Sequence, residues 1–122
     1  MKAYTDIEQS KKLAEILPIE SADMYYEKIN EETFILKVEK DIATLLGKNI
    51  TMLPNSFSYR YCYTIPCWSL VALLDVLPSS TLDSSDDHHY RVHCRERFTE
   101  WHDNAVDACV EMIVKLHEKG LL

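Results

Sequence analysis

The stretch from Pro66 to Pro78 limits this chain more than any other, because only Ser69 and Asp75 between the two prolines are polar. Cys67, Trp68, Leu70, Val71, Ala72, Leu73, Leu74, Val76 and Leu77 fill the remaining positions. Pro66 suits the first turn of a helix, where its missing N–H would have had no partner, and Pro78 stops one. A helix here would be apolar nearly all round, so it must be central or have one face covered by a partner subunit. The rest of the fold has to keep water away from it.

Two further helices are legible. Thr5-x-x-Glu8 has the form of a capping box, followed by an apolar stripe of Ile7, Leu13, Ala14, Ile16 and Leu17 that Pro18 ends. Near the C-terminus, Asp103 or Asn104 can cap a helix that closes at Gly120. Its stripe is Val106, Cys109, Val110, Ile113 and Leu116. Asp107 at its start and Lys115 and Lys119 at its end are placed as the helix dipole favours.

Strand composition marks residues 33–38 and the stretch around Met24-Tyr25-Tyr26. Residues 41–46 read as a short helix closed by Gly47. Residues 58–64 alternate, with Tyr59, Tyr61 and Tyr63 on one face and Arg60, Cys62 and Thr64 on the other. Residues 89–98 read as one alternating strand, Tyr90, Val92, Cys94 and Phe98 against Arg91, His93, Arg95 and Arg97. Residues 78–87 read as a Ser/Asp-rich loop. The expected fold is α+β: one small, mostly antiparallel sheet with N-terminal, central and C-terminal helices packed on it, in a single domain over residues 1–122.

Three blocks carry a resemblance. They are Thr5-Asp-Ile-Glu-Gln-Ser-Lys-Lys-Leu-Ala-Glu-Ile-Leu-Pro18 with Glu20-Ser-Ala-Asp-Met24, Ile65-Pro-Cys-Trp-Ser-Leu-Val-Ala-Leu-Leu-Asp-Val-Leu-Pro78, and Asp103-Asn-Ala-Val-Asp-Ala-Cys-Val-Glu-Met-Ile113 continuing to Leu122. Together they resemble a family of small proteins, without an established activity, encoded by Bacteroides genomes and their phages or integrated elements. The resemblance implies that genomic setting and a cytoplasmic address. It transfers no catalytic motif, cofactor or functional residue.

Charge and motifs narrow the function classes. Twenty acidic against thirteen basic residues give a net charge of −7, which disfavours a broad nucleic-acid surface. The acids are spread evenly along the chain, so no one-sided carboxylate face suggests a nucleic-acid mimic. No apolar run approaches the ~20 residues that span a bilayer, and the N-terminus has no apolar core of a secretory signal. A reducing, cytoplasmic compartment is expected, with free thiols. The spacing of Cys62, Cys67, Cys94 and Cys109 lacks the short C-x2-C turn of a zinc site.

The richest local chemistry runs from Asp83 through His88, His89 and His93 to Cys94. On a strand, His89 and His93 would stand about 13 Å apart, too far to share one ion. His88 and His89 in a turn could meet Asp83 or Asp87. The favoured reading is a solvated acidic loop and a polar strand face. Arg91, His93, Arg95 and Arg97 make that face cationic, with cross-strand glutamates as the expected partners.

Cys67 at the start of the central helix is the one candidate nucleophile, its pKa lowered by the helix's positive end. No catalytic or metal residue is assigned on these signals, and no cofactor is expected. The expected activity is protein–protein interaction, through Trp68, Tyr59, Tyr61 and Tyr63, with a homodimer among the expected assemblies. Neither membrane nor nucleic acid is an expected partner. The alternative is a small metal- or thiol-dependent enzyme using Cys67 or the segment from His88 to Cys94.

Overall fold

The computed structural model describes residues 2–28, 34–38 and 64–122. The chain divides into two compact units, Asp6–Trp68 and Met1–Thr5 with Ser69–Leu122. The α+β class is what it adopts, and among the described residues two three-stranded antiparallel sheets stand in place of the single sheet expected. Among the described residues no helix is long and apolar enough to cross a membrane.

In the first unit, α1 spans Ile7–Ala14. Its cap is Asp6 and not Thr5. Gln9 N–H donates to Asp6 Oδ1 at 2.8 Å, and Asp6 N–H donates back to Gln9 Oε1 at 3.1 Å. The capping box is therefore real but shifted by one residue, and Thr5 is fully buried. The inner line is Ser10, Leu13 and Leu17, spaced three and four apart, while Ala14 is exposed.

After Pro18 a single 3-10 turn, Ile19–Ser21, leads into β1, Met24–Lys28. β2 is Phe34–Val38 and β3 is Thr64–Cys67, giving the order β2-β1-β3. Met24 pairs with Val38 on one side and Cys67 on the other. Pro66 thus belongs to a strand at the end of the described sheet. There its missing N–H is tolerated and its fixed φ suits an extended chain. Helix α1 packs on this strand. Trp68 closes the unit, fully buried, its indole Nε1 donating to Ser21 Oγ at 2.9 Å.

In the second unit, the central helix, α2, is only Leu70–Val76, capped by Ser69, whose Oγ accepts from Ala72 N–H at 3.2 Å. The apolar run between the prolines is therefore divided: a strand end, a buried tryptophan, then a helix. Ala72 and Leu73 face inward and Val71 is 67% exposed. The N-terminal residues attach here, through Leu70 N–H to Ala3 O at 3.0 Å, an antiparallel bridge between Tyr4 and Ser69, and a Lys2–Asp107 ion pair at 2.8 Å.

The second sheet has the order β4-β5-β6, with β4 Thr81–Ser84, β5 Tyr90–Cys94 and β6 Arg97–Phe98. The expected loop at residues 78–87 holds β4, and the expected continuous strand at 89–98 is a hairpin that turns at Arg95-Glu96. Helix α3, Ala105–Glu118, packs on β5 and on α2. Its cap is Asn104, whose Oδ1 accepts from Asp107 N–H, and Gly120 takes the left-handed φ of 69° that ends a helix. Val106, Cys109, Met112, Ile113 and Leu116 are buried on α3, and Val92 and Cys94 on β5. At roughly 1.5–3 kcal/mol for each large apolar side chain fully buried, this layer is the main source of the unit's stability.

Candidate functional site

The packing of β5 on α3 sorts the side chains of the second sheet. Val92 and Cys94 point to the helix, so Arg91 and His93 must point away. Register puts Asp83 opposite Arg91 and Phe98 opposite His93, on that same outer face. Asp83 Oδ2 accepts from Arg91 Nε at 3.2 Å and lies 2.9 Å from His93 Nδ1. The hydrogen bond with His93, then that from Arg91, holds the Asp83 carboxyl below its ordinary range. The expected cross-strand partner of this cationic face is thus an aspartate of β4 and not a glutamate.

With its Nε held, the Arg91 guanidinium stacks on two aromatic rings. Its carbon is 4.7 Å from the Phe98 centroid and 4.6 Å from that of Trp101. His93 adds a tilted ring contact to Phe98, centroids 5.1 Å apart. Phe98 remains 46% exposed and Trp101 44%. Phe98, expected on the apolar face with Val92 and Cys94, is on the outer one because the hairpin turn shifts its register.

The segment that carries Trp101 is tied down on both sides. Thr99 N–H donates to Val92 O at 2.9 Å and Thr99 Oγ1 accepts from Val92 N–H at 2.9 Å. His102 and Tyr90 exchange two backbone hydrogen bonds of 2.7 Å. Glu111 of α3 completes the support: its Oε1 is 2.7 Å from His102 Nε2, its Oε2 is 2.8 Å from Lys115 Nζ, and it accepts from Glu100 N–H. Burial raises the Glu111 pKa, but the hydrogen bonds from Lys115 and His102 outweigh it, and the carboxyl stays below its usual range.

Beside Trp101 opens a cavity of 340 Å³, lined also by Ser85, Asp87, His89 and Asp103. Asp87 and Asp103 are exposed, and His89 Nε2 is 3.4 Å from Asp103 Oδ1. The arrangement offers two carboxylates and an indole to a cation.

The other nominated residues fall differently. Trp68 is fully buried and presents no surface to a partner. Tyr59, Tyr61, Tyr63 and Cys62, with the expected helix at 41–46, lie outside the described residues. Cys67 is fully buried at the end of β3, three residues before α2, so it is not the helix-start thiol expected. Cys94 and Cys109 are also buried free thiols, and desolvation pushes Cys109 up to about 12. It is His93, and not His88 or His89, that meets Asp83. Among the described residues no three His, Cys, Asp or Glu side chains gather as a metal ion would need.

Phe98 was expected as a strand residue and Asp103 as a helix cap, and neither they nor Trp101 were expected at a binding site. The available signal was Arg97-Phe98-Thr99-Glu100-Trp101-His102, two large aromatics set among polar residues beside a strand. No family model, curated protein or solved structure matches this chain.

Proposed function

We propose that this chain is a non-enzymatic accessory protein of a Bacteroides phage or integrated element, acting in the cytoplasm by binding another protein on the outer face of the second sheet. The observation that carries the binding reading is the pair of half-exposed rings, Phe98 and Trp101, contacted by the same Arg91 guanidinium, which Asp83 holds. Tryptophan and arginine dominate interface hot spots, and side chains already immobilised lose little further entropy on binding. The genomic setting and the address rest on the three resembling blocks of sequence.

The partner is a basic segment with an apolar neighbour. Asp87 and Asp103 beside Trp101 receive a Lys or Arg side chain, Phe98 receives the apolar one, and the net charge of −7 steers the encounter. The thiol-enzyme alternative draws no support from Cys67, which has no exposed surface from which to attack a substrate.

Selection of a displayed library of linear peptides on the immobilised protein tests this. The selected peptides are expected to pair Lys or Arg with an aliphatic or aromatic residue. They should lose binding to Trp101→Ala and Asp103→Asn and retain it with Val71→Ser. Peptides without basic residues, or binding indifferent to Trp101→Ala, would sink the reading. A dimer in sedimentation equilibrium that Trp101→Ala dissolves would put a second copy of the chain on this face.

A further inference from the structure

The turn between β5 and β6 holds an arginine where the backbone favours glycine. Cys94 pairs with Arg97, leaving a two-residue connection of Arg95 and Glu96, and Arg95 has a φ of 58°. Hairpins this short commonly place Gly, Asn or Asp at a left-handed position, because a larger side chain crowds the carbonyl that follows. A strained residue of this kind points to a use for its side chain.

That side chain reaches a cavity. Arg95 and Arg97 line a space of 150 Å³ whose other walls are Pro78, Cys94, Leu116 and Leu121. Among the described residues neither guanidinium has a hydrogen bond or an ion-pair partner, in contrast to Arg91 on the same hairpin. Arg95 is exposed and Arg97 half-buried, so water screens part of their mutual repulsion, and an anion held between them offsets the rest. The apolar walls lower the local dielectric and strengthen the attraction. A single water needs only about 10–15 Å³, so the space takes a larger group. Guanidinium forks match the planar carboxylate, and the leucine and proline walls require hydrocarbon, which a bare inorganic anion does not have.

We propose that this cavity binds the carboxylate of a short aliphatic group, with Arg95 and Arg97 taking the charge and Leu116, Leu121 and Pro78 the hydrocarbon. The site is separate from the Trp101 face and does not depend on that reading. A free branched short-chain acid and the C-terminal leucine of a peptide share this chemistry.

The test is a titration followed by amide NMR, with isovalerate and acetyl-Gly-Gly-Leu as probes, and isovaleramide, acetate and the amidated peptide as controls. At least one probe is expected to shift the amides of Arg95, Arg97, Leu116 and Leu121. Its control without a charge or without a tail should bind about tenfold more weakly, and so should Arg97→Gln protein. Isovalerate alone binding assigns the free acid, and the peptide alone assigns a chain terminus. Arg95→Gly relieves the turn and is expected to raise the Tm while weakening binding, which separates loss of the site from loss of the fold. Absence of shifts with both probes, or undiminished binding in the Arg95→Gly protein, overturns the proposal.

Discussion

The guanidinium carbon of Arg91 sits over the Trp101 ring, 4.6 Å from its centroid, and Asp83 holds the same arginine from the neighbouring strand. The indole is therefore positioned by an ion pair it does not itself make. Replacing Asp83 by Ala should free Arg91 and leave Trp101 more mobile. Acrylamide quenching of Trp101 fluorescence, measured in a Trp68→Phe background, is expected to rise, and an unchanged quenching constant would refute the linkage.

Acid should weaken the second unit through two carboxylates. Asp83 and Glu111 are held below their ordinary values of 3.8 and 4.5. A carboxyl lowered in the folded state contributes stability that is complete above its unfolded pKa and disappears as pH falls through the folded one. The Tm should therefore fall from about pH 5 downward, and Asp83→Asn with Glu111→Gln should flatten that slope. An equal slope in the double variant would contradict the assignment.

The thiols Cys67, Cys94 and Cys109 are buried, and Cys109 is pushed up to about 12. In Cys62→Ser protein at pH 8, a chromogenic disulfide reagent should therefore find no fast-reacting thiol. Unfolding in guanidinium chloride should release all three. Rapid labelling of the native protein would revive a reactive-cysteine reading.

Trp68 is structural in this fold. Truncation to Ala should cost about 3–5 kcal/mol, as for other buried tryptophans. Ser21→Ala, which removes the acceptor of the indole N–H, should cost about 1–3 kcal/mol. Urea melts of the two variants check both values.

Among the described residues two turns carry side chains at positive φ, His88 at 60° and Arg95 at 58°. His88 follows Asp86-Asp87 in a tight loop closed by Ser85 N–H to His89 O at 2.9 Å. Glycine at either position should stabilise the protein by about 1 kcal/mol, less what the freer unfolded chain takes back. Melting curves of His88→Gly and Arg95→Gly measure it, and a lowered Tm in both would show that other contacts of these side chains dominate.

Helix α3 was readable end to end, because its cap, dipole charges, apolar stripe and closing glycine all act within one or two turns of the residues that show them. The class α+β followed from similarly local signals. Pro66 misled for a physical reason: proline suits a helix start and an edge strand equally, and only the pairing of Pro66 with Tyr25 decides between them. The single strand expected at 89–98 failed likewise. Alternation is breached at Glu96, which stands where the next apolar residue was due, and the turn there is set by packing β5 on α3 and pairing Phe98 with His93.

By itself, then, the sequence determined the fold class, the ends of the longest helix among the described residues, the burial of Val106 and Ile113 on it, and a net charge of −7. Tertiary structure decided which rings meet water. Trp68 and Trp101 are alike in composition terms, yet one is sealed beneath Ser21's hydrogen bond and the other is held half-exposed by Arg91. The polar neighbours of Trp101 and the apolar run around Trp68 are a local hint of the difference, but burial itself depends on contacts between residues far apart in the chain, whose free energy appears only once the strands have paired.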